Sequence, residues 1–229
     1  MRVLAFDTAT AATVVGVRGD DGSEFEARHD PAAGERPGHA TRLLALVEAT
    51  LADAGIAGGE VDRIGVGIGP GSFTGLRIGV ATARALAQAH DAELVAVSTP
   101  RALAGGATDD PGRTVAAVLD ARRGEAFAAA WRGERELLGA VALGPAALAR
   151  ELAALPDPVL AVGEGALRFR SHIEPAGPVV PPDDDPLHRL RAGPLCRLAV
   201  AAESAGRDTV LPDYLRVPDA EIARREREP

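Results

Sequence analysis

The sequence predicts an α/β protein made of two similar lobes, each of a βββαβα type. Strand-like and helix-like runs follow one another in the same order in both halves of the chain, and the first strand of each half ends at an aspartate, Asp7 or Asp120. A cluster of chain breakers, GGATDDPG at 105–112, separates the halves. We therefore expect an N-terminal lobe over residues 1–107 and a C-terminal lobe over 108–229, related by duplication.

Three short strands open the N-terminal lobe. The β-rich runs end at tight turns such as Asp20-Asp21-Gly22, which favours an antiparallel meander. Apolar residues then recur at helical spacing from residue 40, and Gly55 provides a stop signal. In order, the predicted elements are strands 3–6, 13–17 and 23–28, a helix from 40 to 54, a strand 61–68, a helix 75–90, a strand 94–97 and a helix 100–105.

The C-terminal lobe repeats this pattern. Its helix after the third strand has Pro145 at the first position, where proline is favoured. A proline-rich, acidic segment at 175–185 predicts a loop, and a break near Gly193-Pro194 is expected in the last helix. In order, the predicted elements are strands 114–119, 125–131 and 135–141, a helix 145–155, a strand 159–162, a helix 187–205 and an irregular tail from 208.

Composition excludes several classes of protein. The chain has 229 residues, is 46% hydrophobic, carries a net charge of −8 and contains one cysteine, Cys196. An acidic chain grips nucleic acid poorly by itself, and the arginines of the tail are interspersed with glutamates, as in a solvated segment. Cys196 has apolar neighbours and is predicted to be a core thiol. No apolar stretch suits a signal peptide or a membrane span, which predicts a soluble, cytoplasmic protein.

The stretch GIGPGSFTGLRIG at 67–79 has the small residues of a ligand-binding loop but fits none of three common motifs. A Walker A loop needs a lysine, and the chain has none. A dinucleotide-binding fingerprint would need glycine where the chain has Ser72 or Thr74, and the nucleophile elbow G-x-S-x-G also fails by spacing. The stretch is therefore predicted to be a strand-to-helix turn, with Ser72 or Thr74 capping the helix.

The helix that follows has small residues four apart on one face: Gly75, Gly79, Ala83 and Ala87. Two interpretations are open. The face packs inside its own lobe, or it meets a helix of another subunit with Arg77 and Arg84 at the rim.

The five histidines are scattered without the spacing of a metal site. His39 directly precedes a predicted helix, where a capping or interface role is favoured over metal ligation. Ser72 and His39 are the residues to name for a hydrolase, but nothing in their spacing links them. We therefore predict no catalytic residue, no metal and no cofactor.

Several stretches together resemble one family. They are VLAFDTAT at 3–10, GIGPGSFTGLRIGVATARALA at 67–87, VSTPRALA at 97–104, VLDARRGEAFAAAW at 118–131 and DYLR at 213–216, with His39 before the first helix. They are similar to the TsaB (YeaZ) family, which supports threonylcarbamoyl modification of the adenosine beside the tRNA anticodon. The resemblance covers both halves of the chain.

The resemblance implies a duplicated actin-like, Hsp70-like (ASKHA) fold and a non-catalytic scaffold or activator subunit. Such a subunit pairs with TsaD, supports docking of the ATPase TsaE, forms a homodimer when alone, and meets tRNA only through the complex. By analogy, the partner and dimer interface is expected on two helices, at His39, Leu43, Leu46, Val47 and Thr50 of the first and Gly75, Arg77, Gly79, Ala83 and Arg84 of the second.

The resemblance also places Asp7, Thr8 and Asp120 at nucleotide-site positions, with Gly163-Glu164-Gly165-Ala166 as a short candidate for the adenosine turn. Two interpretations stay open: these residues are vestiges that hydrogen-bond strand ends, or they bind a nucleotide. The alternatives to a scaffold are accordingly an ATP-binding phosphotransferase of the actin-like superfamily and a glycoprotease-like peptidase.

Overall fold

The computed structural model describes residues 1–32, 34–107, 110–156, 158–204 and 206–216. The first half forms β1 (Val3–Asp7), β2 (Thr13–Arg18), β3 (Glu24–His29), α1 (His39–Asp53), β4 (Arg63–Gly67), α2 (Phe73–His90), β5 (Glu93–Val97) and α3 (Thr99–Gly105). The second forms β6 (Thr114–Arg122), β7 (Glu125–Arg132), β8 (Arg135–Leu143), α4 (Pro145–Ala153), β9 (Val159–Val162), α5 (Glu164–Arg168), α6 (Arg170–Ile173) and α7 (Ala192–Ala201). Short 3₁₀ turns occupy Gly58–Glu60, Glu174–Ala176 and Pro186–His188.

The strands form two mixed sheets with matching connectivity. The first has the order β3-β2-β1-β4-β5 and the second β8-β7-β6-β9. In each sheet the first three strands form an antiparallel meander, and the first strand also pairs in parallel with the strand that follows the helix. This repetition confirms the predicted two-lobed α/β fold.

Helices separate the two sheets and cover their outer faces. α1 and α2 pack on the outer face of the first sheet, and the helices after β8 and β9 cover the second. α3 and α7 lie between the sheets, in a core that joins Val3 and Ala5 of β1 to Val115 and Ala117 of β6. The two lobes are thus held together by buried apolar surface, which contributes about 25 cal/mol per Å².

The second half departs from the prediction in its helices. α7 begins at Ala192, so Gly193 and Pro194 lie in its first turn instead of breaking it, and a first-turn proline removes no intrahelical hydrogen bond. The expected helix over 187–205 is therefore shorter. α5 and α6 were not predicted, because each is too short to show a helical period.

The last helix returns to the first sheet. A Cβ atom at Gly65 would lie 2.5 Å from the Cβ of Ala199, and one at Gly16 would lie 2.6 Å from the Cβ of Ala192, so these glycines let α7 lie directly on β2 and β4.

The predicted division at 107/108 follows chain order and adjoins residues 108 and 109, which lie outside the described residues. In space, part of the second half belongs with the first lobe.

Two smaller expectations concern Cys196 and the membrane. Cys196 is buried in the core between the sheets, as predicted, and desolvation there raises the pKa of its thiol to about 12. Within the described ranges, no helix has the length and apolarity needed to cross a bilayer. The arginine- and glutamate-rich tail from 217 onward lies outside the described residues.

Candidate functional site: an interlobe cleft and a two-helix face

A cleft of about 820 Å³ lies between the lobes. One wall is the segment after β1 with the start of α2, and the other is the end of β6 with α5. Charged residues of both signs line it, namely Arg28, Asp30, Asp120, Arg122, Glu164, Asp183, Asp185, Arg189 and Arg216. The site is therefore polar at its rim and close to balanced in charge.

Asp7, the first predicted nucleotide-site residue, points away from this cleft. Its side chain is completely buried, its Oδ1 accepts a 2.7 Å hydrogen bond from the backbone N–H of Ala9, and its Oδ2 accepts one of 2.6 Å from the Thr99 hydroxyl. A side chain at Gly67 would overlap the carboxylate. Burial raises the pKa of Asp7, and the hydrogen bonds from Thr99 and Ala9 partly offset this rise.

Thr8 fixes the start of α2 against the end of β1. Its hydroxyl donates a 2.8 Å hydrogen bond to the carbonyl of Gly75, and a Cβ atom at Gly75 would collide with the carbonyl oxygen of Thr8. A Cβ at Gly79 would lie 2.5 Å from the Thr8 hydroxyl oxygen. The small-residue face of α2 therefore packs inside its own lobe.

Asp120 lines the cleft, and its carboxylate is hydrogen-bonded to the Arg168 side chain. Arg168 Nη1 donates to both carboxylate oxygens of Asp120 at 2.8 Å, and the backbone N–H of Arg122 donates to Oδ1 at 2.9 Å. Nearby Glu164 begins α5, where the sequence suggested an adenosine turn. Glu164 is exposed at the cleft, yet desolvation by the surrounding protein raises the pKa of its carboxyl group, and the charge of Asp120 adds to the rise.

The stretch GIGPGSFTGLRIG at 67–79 contains the N-cap of α2 and forms a closely packed turn before that helix. Ser72 Oγ accepts a hydrogen bond from the N–H of Gly75 at 3.3 Å, which confirms Ser72 as the N-cap of α2. The N–H of Ser72 in turn donates to the carbonyl of Ala9 at 2.7 Å, and a Cβ at Gly71 would overlap that carbonyl. The stretch therefore joins the segment after β1 to the first turn of α2.

His39 is buried at the start of α1. Its Nδ1 lies 2.8 Å from the hydroxyl oxygen of Thr13 on β2, and desolvation lowers the pKa of its imidazole. The Ser72 hydroxyl caps α2, while the His39 ring bonds Thr13. The two side chains named for a hydrolase are thus each engaged elsewhere. Among the described residues, no cluster of His, Cys, Asp or Glu is arranged to hold a metal ion.

Most residues of the expected interface are buried in the single chain, and the interface itself stays a prediction. Seven of its ten members are buried within the lobe: His39, Leu43, Val47, Thr50, Gly75, Gly79 and Ala83. Leu46 and Arg84 are half-buried, and Arg77 is exposed. The helical spacing was read correctly, but it marks the face that packs on the sheet. A partner surface on these helices has to use their outward-facing residues.

Those outward-facing residues include charged side chains, such as Arg42 and Glu48 on α1 and Arg77 on α2, and a set of small or apolar ones. On α1, Leu44 is 57% exposed and Ala45 and Ala49 are also exposed, while on α2 the exposed residues include Thr74, Ala81 and Ala85. We call these six residues the docking face. Its helices contact each other side by side, and its short side chains let another helix approach closely.

Sequence reasoning did not assign roles to Thr99, Phe73, Tyr214 and Arg216. Thr99 binds Asp7, and Tyr214 stacks on Phe73 with ring centroids 4.9 Å apart. Arg216 lines the cleft. Thr99 lies in VSTPRALA, and Tyr214 and Arg216 lie in DYLR; these two stretches belong to the family resemblance, which is the sequence signal for them.

Two sheets of the same connectivity, an interlobe cleft and an aspartate near the end of each first strand define a duplicated actin-like (ASKHA) protein. A family model described as "TsaD: tRNA N6-adenosine threonylcarbamoyltransferase" matches residues 33–158. The chain is 32% identical to the tRNA threonylcarbamoyladenosine biosynthesis protein TsaB of Bacillus subtilis, over 80% of this chain and 82% of that protein. It belongs to the TsaB (YeaZ) family.

A solved structure and a second relative agree. The structure of YeaZ from Pseudomonas aeruginosa superposes with a TM-score of 0.78 and 30% identity, covering 93% of this chain and all of that one. TsaB of Escherichia coli is 38% identical over 56% of this chain. The match to Escherichia coli TsaB spans about half of that protein, 53% of its length. A protein of Mycobacterium leprae is 38% identical to this chain, and the match spans 37% of that protein's length.

Proposed function

We propose that this chain is a non-catalytic subunit of a tRNA threonylcarbamoyladenosine-forming complex, which pairs with a TsaD-type transferase and supports docking of TsaE. The observation that carries the proposal is the docking face. Its six side chains are alanine, leucine and threonine at positions that the monomer leaves exposed, and Glu48 is exposed beside Ala49 on α1. Surface of this kind suits close helix packing with a partner.

The cleft supports a non-catalytic role for the same subunit. A phosphotransferase of this fold would need acidic groups free to position a metal-bound nucleotide, whereas the Asp7 carboxylate is buried on Thr99 and Ala9 and Asp120 is bound to Arg168. Both aspartates act here as structural acceptors. This favours the vestigial interpretation over nucleotide binding.

The family relationship points to the kind of partner. The model that matches residues 33–158 is that of the transferase, and this chain shares its fold. Two related two-lobed subunits can associate through equivalent helices in a pseudo-twofold arrangement, and on this proposal the same face would form a homodimer of the isolated chain. An acidic chain with a net charge of −8 leaves most tRNA contact to the partner.

The test is association with the TsaD-type protein of the same organism, measured by size-exclusion chromatography with light scattering. Ala81→Arg should abolish the heterodimer, because it places a long charged side chain on the exposed side of α2 without touching the core. Ala146→Arg is the matched control, since Ala146 is exposed on α4 in the other lobe. No complex with the wild-type chain, or equal binding by both variants, would refute the proposal.

The contribution of TsaE is tested in the same system. TsaE should co-elute with the heterodimer and fail to co-elute with this chain carrying Ala81→Arg. Titration of the isolated chain with Mg-ATP by calorimetry addresses the phosphotransferase alternative. Saturable ATP binding that is lost on Asp120→Asn would favour that alternative.

A further inference from the structure

The segment from Arg207 to Arg216, which we call the strap, runs along α2 and then crosses to the second lobe. It leaves α7, which lies between the sheets, and has no regular secondary structure. Such a segment keeps one path only if specific contacts fix it, since ordering each residue costs conformational entropy. The contacts of the strap are therefore informative.

The first part of the strap is fixed to the C-terminal half of α2. Arg207 donates to Asp91 Oδ1 at 2.7 Å and to Gln88 Oε1 at 3.1 Å. Arg84 donates to the carbonyls of Asp208 at 3.0 Å and Val210 at 2.7 Å. The Val210 side chain is 2% exposed and belongs to the core beneath α2.

The second part is fixed at the N-terminal end of α2. The N–H of Asp213 donates to the carbonyl of Ile68 at 2.8 Å, just after β4. The Tyr214 ring stacks at a tilt on Phe73, and Arg77 Nε donates to the Tyr214 hydroxyl at 3.2 Å. The Arg77 guanidinium also lies over the Phe73 ring, 3.8 Å from its centroid. Up to this point the strap is part of the first lobe.

Arg216 then reaches the other lobe. Its Nη1 donates to the carbonyl of Ala121 at 2.9 Å and lies 3.6 Å from Glu125 Oε2. Ala121 is at the end of β6 and Glu125 at the start of β7, so both contacts belong to the second sheet. Arg216 also lines the cleft together with Phe73 and Ala121, which places its contact across the cleft edge.

We propose that the strap is a conformational tie that holds the two lobes closed around the cleft, with Arg216 as its clasp. On one side of the cleft the lobes are joined by α3, α7 and the apolar core between the sheets. That side acts as the hinge. At the cleft edge, the clasp binds the hairpin of β6 and β7 to a segment anchored along the whole of α2. Loss of the clasp releases that edge while the hinge stays intact.

The geometry explains why an arginine serves here. Its long side chain spans from the strap to the β6 end, and its fork donates to a carbonyl while its charge faces Glu125. A single charge-assisted hydrogen bond of this kind contributes only a small part of the stability of a folded chain. This energy is small enough for partner binding or a ligand to reverse it, so the tie can open without unfolding either lobe.

The experiment measures the distance between the lobes by double electron–electron resonance on the full chain. Spin labels are placed at Ala52→Cys on α1 and Arg150→Cys on α4, both exposed, in a background carrying Cys196→Ala. Arg216→Ala should broaden the distance distribution and shift it to longer values. Arg216→Met, which keeps the apolar stem but has no donor, should do the same and guards against a packing artefact.

Arg207→Ala is the matched control, because it removes an ion pair of the strap that lies entirely within the first lobe. It should leave the distribution unchanged. Hydrogen exchange of residues 119–126 should rise in the Arg216 variants and not in the control, while circular dichroism shows that all variants are folded. An unchanged distribution for both Arg216 variants, or an equal shift with Arg207→Ala, would overturn the proposal.

Discussion

The Thr99 hydroxyl donates a 2.6 Å hydrogen bond to the carboxylate of Asp7, which links the end of β1 to the first residue of α3. Thr99 Oγ1 in turn accepts from the N–H of Gly69 at 3.2 Å. A buried chain of hydrogen bonds thus runs from the glycine stretch through Thr99 to Asp7. It turns the carboxylate into the lobe and makes Asp7 a structural residue.

Asp7→Asn should fold and be at least as stable as the wild type at pH 8, whereas Asp7→Ala should lose about 1–3 kcal/mol. Asparagine can still accept from Ala9, but alanine leaves that buried N–H without a partner. Because burial raises the pKa of Asp7, the native state binds more protons than the unfolded state. Its contribution is fully present below about pH 3.9 and is lost as the pH rises through the folded-state pKa.

Urea denaturation of both variants between pH 4 and pH 8 measures this effect. In the wild type, Asp7 lowers the free energy of unfolding as the pH rises. This pH-dependent loss should be absent in Asp7→Asn. Equal pH dependence of the wild type and Asp7→Asn would show that the carboxyl group does not titrate differently in the folded chain.

Gly75→Ala should destabilise the chain by about 3 kcal/mol, although alanine favours helix by about 1 kcal/mol. The new methyl group would collide with the carbonyl oxygen of Thr8, so the main chain itself would have to shift. Gly59→Ala is the control, because a Cβ there meets nothing within 4 Å. Thermal unfolding followed by circular dichroism compares the two, and similar melting temperatures would contradict the close packing of α2 on β1.

His39 should make the chain less stable as the pH falls below about 6.5. Desolvation lowers the pKa of His39 in the folded state, so the unfolded chain takes up a proton first. Its contribution is present above the unfolded-state pKa and is lost by up to about 1.4 kcal/mol per pH unit as the pH falls through the window between the two pKa values. His39→Gln should flatten this slope in denaturant titrations from pH 7.5 to pH 5, while the exposed-site variant His172→Gln should retain it.

Ala83→Arg should unfold or strongly destabilise the chain, with a loss of about 3–5 kcal/mol. Ala83 is completely buried in the core beneath α2, and an arginine there would be an unpaired buried charge. Ala81→Arg, two residues earlier on the exposed side, should change stability by less than about 0.5 kcal/mol. Differential scanning calorimetry distinguishes them, and a stable Ala83→Arg variant would show that this face of α2 does not pack as described.

The sequence predicted the order of strands and helices closely, except in the second half. Strands such as Thr13–Arg18 and helices such as Phe73–His90 have a clear hydrophobic period, a turn or a cap that local rules recognise. α5 and α6 have too few residues for a period. Pro194 lies in the first turn of α7 and not at a break, and the sequence does not distinguish these two positions of a proline.

The candidate site was predicted less well. Spacing alone showed that Gly75, Gly79 and Ala83 share one face of α2, but it could not decide whether that face meets a partner or the chain's own sheet. The contact of Gly75 with Thr8, 67 residues away in sequence, decides it. The docking face then follows as the opposite side of the same helix.

The sequence by itself determined the family, the two-lobed α/β class and a capping residue before α2, either Ser72 or Thr74, because these depend on local pattern and on motifs read along the chain. Only the tertiary structure decided that Asp7 is bound by Thr99, that α7 returns to the first sheet and that Arg216 reaches Ala121. Each of these joins residues far apart in the chain. Their partners are chosen by packing of the whole fold, since no local propensity specifies a contact across roughly 90 residues or more.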